Sequence, residues 1–194
     1  MADRDQVLER LHRTYREAEA IGNQVDAYCY LTGSMAIYLL CKQLGIDVGD
    51  FVPRDVDFLL SSKTSRSTKF RSFMLNQRTK TTTYNKGTLD EFEIITRKSK
   101  KKGIIVESQT GNDKLSIMVL KPQSIKIEYE DQLSDARQYK SRQIEEEQKI
   151  QRKIDLLDQI LTVIEEDNIK FTEVHDVDVG RGKENKRVNK KLKF

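Results

Sequence analysis

The strongest constraint on the fold is a break-and-return pattern between residues 26 and 60. Residues 26–32, from Asp26 through Tyr28, Cys29, Tyr30 and Leu31 to Thr32, are aromatic and apolar and read as a strand. Gly33-Ser34 interrupts the run. Residues 35–44 then place Ile37, Leu40, Cys41 and Leu44 on one side of a helix that Gly45 ends. Asp47 to Pro53 is a loop, and Pro53 is tolerated at the first position of a strand. The chain returns as Arg54-Asp55-Val56-Asp57-Phe58-Leu59-Leu60. Alternation along that strand puts Asp55 and Asp57 on the same face. Two adjacent carboxylates repel unless a cation lies between them. Hard divalent ions such as Mg²⁺ take oxygen ligands of this kind. A Gly-Ser turn opening a helix presents backbone N–H groups to a phosphate. Together these are the parts needed for phosphoryl or nucleotidyl transfer.

The segment from Tyr30 to Leu60 resembles the nucleotidyltransferase superfamily of the DNA polymerase β type, most closely its small bacterial and phage-borne members, the AbiEii-like toxin group among them. Their pattern is a hydrophobic strand, Gly-Gly or Gly-Ser, a helix, then Asp-x-Asp on the next strand. Here the pair is Gly33-Ser34 and the carboxylates are Asp55 and Asp57, with 20 residues between Ser34 and Asp55. The resemblance covers residues 25–62 well and the rest loosely. It implies two metal ions on three carboxylates, Asp55 and Asp57 being two of them. It also implies that Gly33 and Ser34 hold the phosphates of a nucleoside triphosphate, and that Mg²⁺ is required.

The third carboxylate is expected on a later strand of the same sheet. The natural candidate, Lys114 to Val119, has Ser116 at the position expected to be acidic. Glu107 on the neighbouring strand and Glu93 are both geometric substitutes, and the sequence selects neither. Arg54 adjoins the carboxylates with its side chain expected on the opposite face. Farther on, Arg152-Lys153-Ile154-Asp155-Leu156 resembles a Lys-Asp-Leu segment on a helix that approaches the triphosphate in small members; the other reading is a plain solvated face.

Elsewhere the pattern predicts a helix over 3–22, a polar cationic stretch over 61–69 and a short helix over 69–78. The cationic stretch is either a solvated loop or a basic rim beside the cleft. A β-meander is expected over 89–120, with turns at 98–103 and 111–113. Residues 123–167 read as helical, and Ile150, Ile154, Leu157, Leu161 and Ile164 step by four and three as a heptad seam. Packing of this seam on the chain's own core is the favoured expectation, with a partner helix or self-association as the other. The expected architecture is α/β (α+β), a mixed sheet flanked by helices. Its parts are a core over 1–122, a helical region over 123–167 and a flexible basic tail over 168–194.

Composition narrows the classes. The sequence has no run of about 18 apolar residues, so no membrane span is expected. Its opening residues lack the apolar region of a secretory signal. Cys29 and Cys41 have no metal-ligand spacing and read as buried free thiols of an intracellular protein. His12 and His175 are the only histidines, and histidine-based catalysis is not expected. Residues 180–194 hold seven Lys/Arg against one Glu, while the remainder is slightly acidic. Such a tail reads as an arm for nucleic acid or an acidic protein partner. The function expected is transfer of a nucleotide from an NTP to a protein, RNA or small molecule. The alternative is an inactive protein of the same fold serving as a structural or assembly module, such as one in a virus or phage.

Overall fold

A computed structural model describes residues 4–64, 66–77, 80–97, 101–138 and 144–174. Among these, five helices and seven strands form an α+β fold. In chain order they are α1 (Arg4–Gln24), β1 (Ala27–Thr32), α2 (Gly33–Gln43), β2 (Asp57–Ser62), α3 (Thr68–Asn76), β3 (Thr81–Tyr84), β4 (Phe92–Thr96), β5 (Gly103–Thr110), β6 (Asp113–Leu120), α4 (Pro122–Gln138), α5 (Ile144–Glu166) and β7 (Thr172–Val174). The strands make one mixed sheet in the order β3-β4-β2-β1-β6-β5-β7. β2 runs antiparallel to β1 and parallel to β4, and β1 runs parallel to β6.

Both faces of the sheet are covered, and the alternation of β2 decides which side chains meet which helix. Phe58 points toward α1, where its ring meets Tyr15 at 5.9 Å and Phe92 of β4 at 5.6 Å. The opposite face carries Asp57 and receives α2, α4 and α5. Residues 35–41 of α2 are buried without exception, which sets this helix between the sheet and the later helices. Ile125, Tyr129 and Leu133 of α4 and Ile150, Ile154, Leu157 and Ile160 of α5 join the same core cluster as the strands. The heptad residues at 150, 154 and 157 are therefore packed inside this chain. Each such buried aliphatic side chain contributes about 1.5–3 kcal/mol.

Helix α1 is fastened to the β5–β6 hairpin by a polar chain that runs from the interior to the surface. His12 Nδ1 lies 2.9 Å from Asp113 Oδ2, and Nε2 lies 2.8 Å from Ser108 Oγ. The order of groups is that of a hydrolase triad, but both His12 and Ser108 are buried, so the chain acts as a clamp. At the far side of the sheet Gly103 leaves room for Tyr30, whose ring occupies the place a β-carbon would take.

Three expectations are corrected. The strands of 89–120 are not a meander: β5 and β6 form a hairpin, whereas β4 lies beside β2 on the other half of the sheet. In the sheet order β2, β1 and β6 lie between β4 and β5. Strands β3 and β7 were not anticipated. Both are short edge strands, and their local sequences carry little apolar alternation. The cationic stretch after β2 does not border Asp57. The register pairs Asp57 with Thr32 and Ser62 with Ala27, so Lys63 sits about 20 Å away beyond the opposite end of the strand. There Lys63 Nζ donates to Asn23 Oδ1 and stands over the Tyr28 ring.

Cys29 and Cys41 are buried free thiols, and burial raises the pKa of both. No helix among the described residues is long and apolar enough to cross a membrane. The turn residues 98–100, His175 and the basic tail over 180–194 lie outside the described residues.

Candidate functional site

The sequence of β1 ends in Thr32, and the next residue turns the chain through φ +68° at Gly33. That left-handed conformation is open to glycine at little cost. It lets α2 start directly against the end of β2. A β-carbon built on Gly33 would meet the carboxylate of Asp57, so the absent side chain is what lets helix and acid approach. Thr32 occupies the N-cap position but makes no side-chain cap bond. It is 4% exposed, shares the Asp57 face as that residue's register partner, and its Oγ1 has no hydrogen-bond partner. The first N–H groups of α2 are thus left uncapped by Thr32, and a buried hydroxyl waits beside them.

Asp55 and Asp57 are brought together as expected from alternation. Val56 between them is fully buried, while Asp55 is exposed and Asp57 is mostly buried. β2 begins at Asp57, and Asp55 stands on the extended approach to it. Arg54 has an exposed side chain, and its carbonyl accepts from Arg10 Nη1 at 2.7 Å.

The neighbour that supplies a third acid is β4, not β6. Parallel pairing sets Glu93 level with Asp57, and Glu93 N–H donates to Val56 O at 2.9 Å. Ser116 and Glu107 pair with each other by a hydroxyl–carboxylate hydrogen bond of 2.6 Å on the β5–β6 hairpin, on the other side of β1 from β2. The acidic position sought on β6 is therefore on a strand that never borders Asp57. A sequence signal for Glu93 exists in hindsight: it is the one acid inside the apolar run 92–95.

Two residues from the later helices face the same acids. Tyr129 of α4 lies beside the Ser34 hydroxyl, and burial pushes its phenol up to about 12. Lys153 of α5 stands over the Tyr129 ring at 4.7 Å. Burial lowers the Lys153 pKa while the charges of Asp57 and Asp55 oppose the change. Lys153 is the lysine of the Lys-Ile-Asp-Leu stretch. Tyr129 had no signal beyond a helical apolar spacing.

Asp57 is the electrostatic centre. Burial pushes its carboxyl up to about 6, the charges of Glu93 and Asp55 add to the rise, and Lys153 opposes it. Asp55, Asp57, Glu93 and Glu91 line a cavity of about 350 Å³ with Arg10 at its wall. Arg10 spends its two Nη groups on the carbonyls of Arg54 and Glu91, and its buried Nε has no partner.

The donor set suits an oxygen-ligated divalent ion, and the mutual repulsion of the acids is what such an ion relieves. Among the described residues, however, no three such groups converge on one point. Glu93 Oε1 is turned outward to accept from Thr83 Oγ1 at 3.4 Å, a length at which a hydrogen bond is weak. Asp55, Asp57 and Glu93 would hold the ion once Glu93 rotates inward.

Compared with protein-family models the chain matches none, and compared with curated proteins it matches none.

Proposed function

We propose that this protein is a metal-dependent nucleotidyltransferase that moves a nucleotide from an NTP to an acceptor hydroxyl. The observation that carries the reading is the register of β2 between β1 and β4. It sets Asp57 between the Gly33-Ser34 turn on one flank and Glu93 on the other. The resemblance of the sequence between Tyr30 and Leu60 to nucleotidyltransferases of the DNA polymerase β type supports the same reading.

Each residue has a role in this reading. The uncapped N–H groups at Gly33 and Ser34, with the Thr32 hydroxyl, receive phosphate oxygens. Lys153 neutralises phosphate charge from the far side of the cleft, held in place by the Tyr129 ring. Asp55, Asp57 and Glu93 would hold Mg²⁺, which would supply charge neutralisation of the phosphates and activation of the attacking hydroxyl. Arg10 fixes the approach to β2 against the approach to β4, so the acids keep their spacing.

The test is calorimetric titration with each nucleoside triphosphate and Mg²⁺, beside the Asp55→Asn, Asp57→Asn double variant. Binding that needs both the metal and the aspartates is the expected result. A folded wild type that binds no nucleotide sinks the reading. The second reading, an inactive module of the same fold, is favoured by one observation: the outward turn of Glu93, which leaves the acids apart. It predicts nucleotide binding without turnover, or neither.

A further inference from the structure

Between Asp57 and Asp90 the chain carries no acid. Residues 63–83 hold six Lys/Arg and nine Ser/Thr. Protein surfaces ordinarily intersperse the two signs of charge, so a run of one sign concentrates a field. The run also departs from the rest of this molecule. Arg13, Arg16, Arg97, Lys121 and Lys126 each stand against an acid. Among the described residues, none of Lys63, Arg66, Lys69, Arg71 and Lys80 forms an ion pair.

The fold gathers these cations at one end of the sheet, away from Asp57. Helix α3 joins the end of β2 to the start of β3. Its start is fixed by Ser67, whose hydroxyl accepts from Phe70 N–H at 3.2 Å, and by burial of the Phe70 ring. Lys69, Arg71 and Ser72 are left exposed around it, with Arg66 and Thr68 exposed at its entry. Thr96 N–H donates to Lys80 O at 3.0 Å, and Arg97 N–H donates to Leu60 O at 3.4 Å. Lys80, Arg97 and Lys63 therefore stand at the same end of three adjacent strands, β3, β4 and β2, in a row about 10 Å wide.

The side chains of this face state what it fits. Cations, hydroxyls and amides are the groups that contact phosphodiester oxygens. One strand of a duplex presents a phosphate about every 3.4 Å of axis, so the row faces about three of them. Single strands are held by exposed aromatic rings on which bases stack. Here Phe70 is buried, Phe73 is half-buried and Tyr84 lies stacked on Phe92. A membrane surface calls for several apolar side chains, and on α3 only Leu75 is an exposed large one. We infer that α3 and the adjoining strand ends form a docking surface for the phosphate backbone of a nucleic-acid duplex, without regard to base sequence. The inference is independent of the nucleotidyl-transfer reading, because this face and Asp57 lie at opposite ends of β2.

Fluorescence anisotropy of the full chain with a labelled duplex of about 20 base pairs, without NTP or Mg²⁺, tests it. Five phosphate contacts should make affinity fall about 10²–10³-fold between about 50 and about 200 mM salt. The triple variant Lys69→Gln, Arg71→Gln, Lys80→Gln should reduce that fall to about tenfold and leave NTP affinity unchanged. Removing the same charge with Lys186→Gln, Arg187→Gln and Lys190→Gln should leave the salt dependence as in the wild type. A single strand of equal length should bind more weakly than the duplex. Absence of duplex binding, or equal losses from the two triple variants, overturns the inference. So does single-strand binding as tight as that of the duplex. Displacement of the duplex by polyglutamate or by phosphatidylserine vesicles at equal charge would assign the face to an acidic protein or a lipid surface instead. Loss of NTP binding in the α3 variant would place these cations in the nucleotide site and overturn the inference as well. A wild type that binds duplex but no NTP keeps this surface and sinks only the transfer reading.

Discussion

A β-carbon placed on Gly33 would lie 2.5 Å from Oδ2 of Asp57. No real β-carbon tolerates an oxygen so near, and the contact cannot be relieved by moving Gly33, whose φ is +68°. Gly33→Ala therefore loses twice, through left-handed strain and through displacement of the acid. We expect a destabilisation of about 1–3 kcal/mol in denaturant unfolding. Nucleotide affinity should fall further than stability does, because Asp57 is pushed out of register. Wild-type affinity in a folded Gly33→Ala protein would contradict the site.

Asp57 also sets a pH dependence. Its folded pKa of about 6 exceeds the ordinary value of 3.8, so the fold prefers the neutral carboxyl. The stability tied to this group is full below the ordinary value and is lost as pH rises through about 6. Asp57→Asn should thus raise the melting temperature at about pH 8 and change it little near pH 4. The ceiling is about 3 kcal/mol, since each tenfold change in proton affinity is worth ~1.4 kcal/mol. Mg²⁺ should stabilise the wild type more at the higher pH. Thermal melts at both pH values, with and without the ion, check both signs.

Thr32 separates a ligand role from a structural one. Its hydroxyl makes no bond that the fold would miss. Thr32→Val removes an unpaired buried polar group at nearly constant volume. Stability should hold or rise by about 1 kcal/mol, while NTP affinity drops. A loss of stability without loss of affinity would assign the hydroxyl to the fold.

Lys153→Met keeps the apolar stem over Tyr129 and deletes the ammonium. We expect NTP affinity to fall about tenfold, a loss near 1.4 kcal/mol, with the helical circular dichroism unchanged. Lys149 on the same helix is exposed, and Lys149→Met should cost less. Equal effects would mean that Lys153 acts only through general charge.

Gly103→Ala tests the fold apart from the site. The new methyl group would strike the Tyr30 ring and the Val119 carbonyl oxygen, the latter at 2.8 Å. Backbone cannot give way cheaply in mid-sheet, so a loss of about 1–3 kcal/mol is expected. Chemical denaturation reads it directly.

The first third of the chain was legible because its signals are local. Residues 27–32 are almost wholly apolar, Gly33 can take the turn, and Ile37, Leu40 and Cys41 fall on a buried helix. Alternation alone placed Asp55 and Asp57 on one cavity wall. The seam through Ile150, Ile154 and Leu157 likewise announced a buried face. Glu93 was only one of two substitutes, because a chain does not state which of its strands will pair. Ser116 sat on the strand expected to carry the third acid, and that strand proved to border β1 instead.

The sequence by itself determined the elements around the turn, the pairing of two acids on one face and the burial of the cysteines. These follow from period-two and near-four spacing and from the freedom of glycine, all set within a few residues. Only the tertiary structure decided that β4 flanks β2, that Lys153 and Tyr129 reach the acids, and that Lys63 does not. Those outcomes depend on which strands close long loops to pair. The free energy that settles pairing comes from burying Phe58, Phe92 and the helices against the whole sheet, not from any one segment.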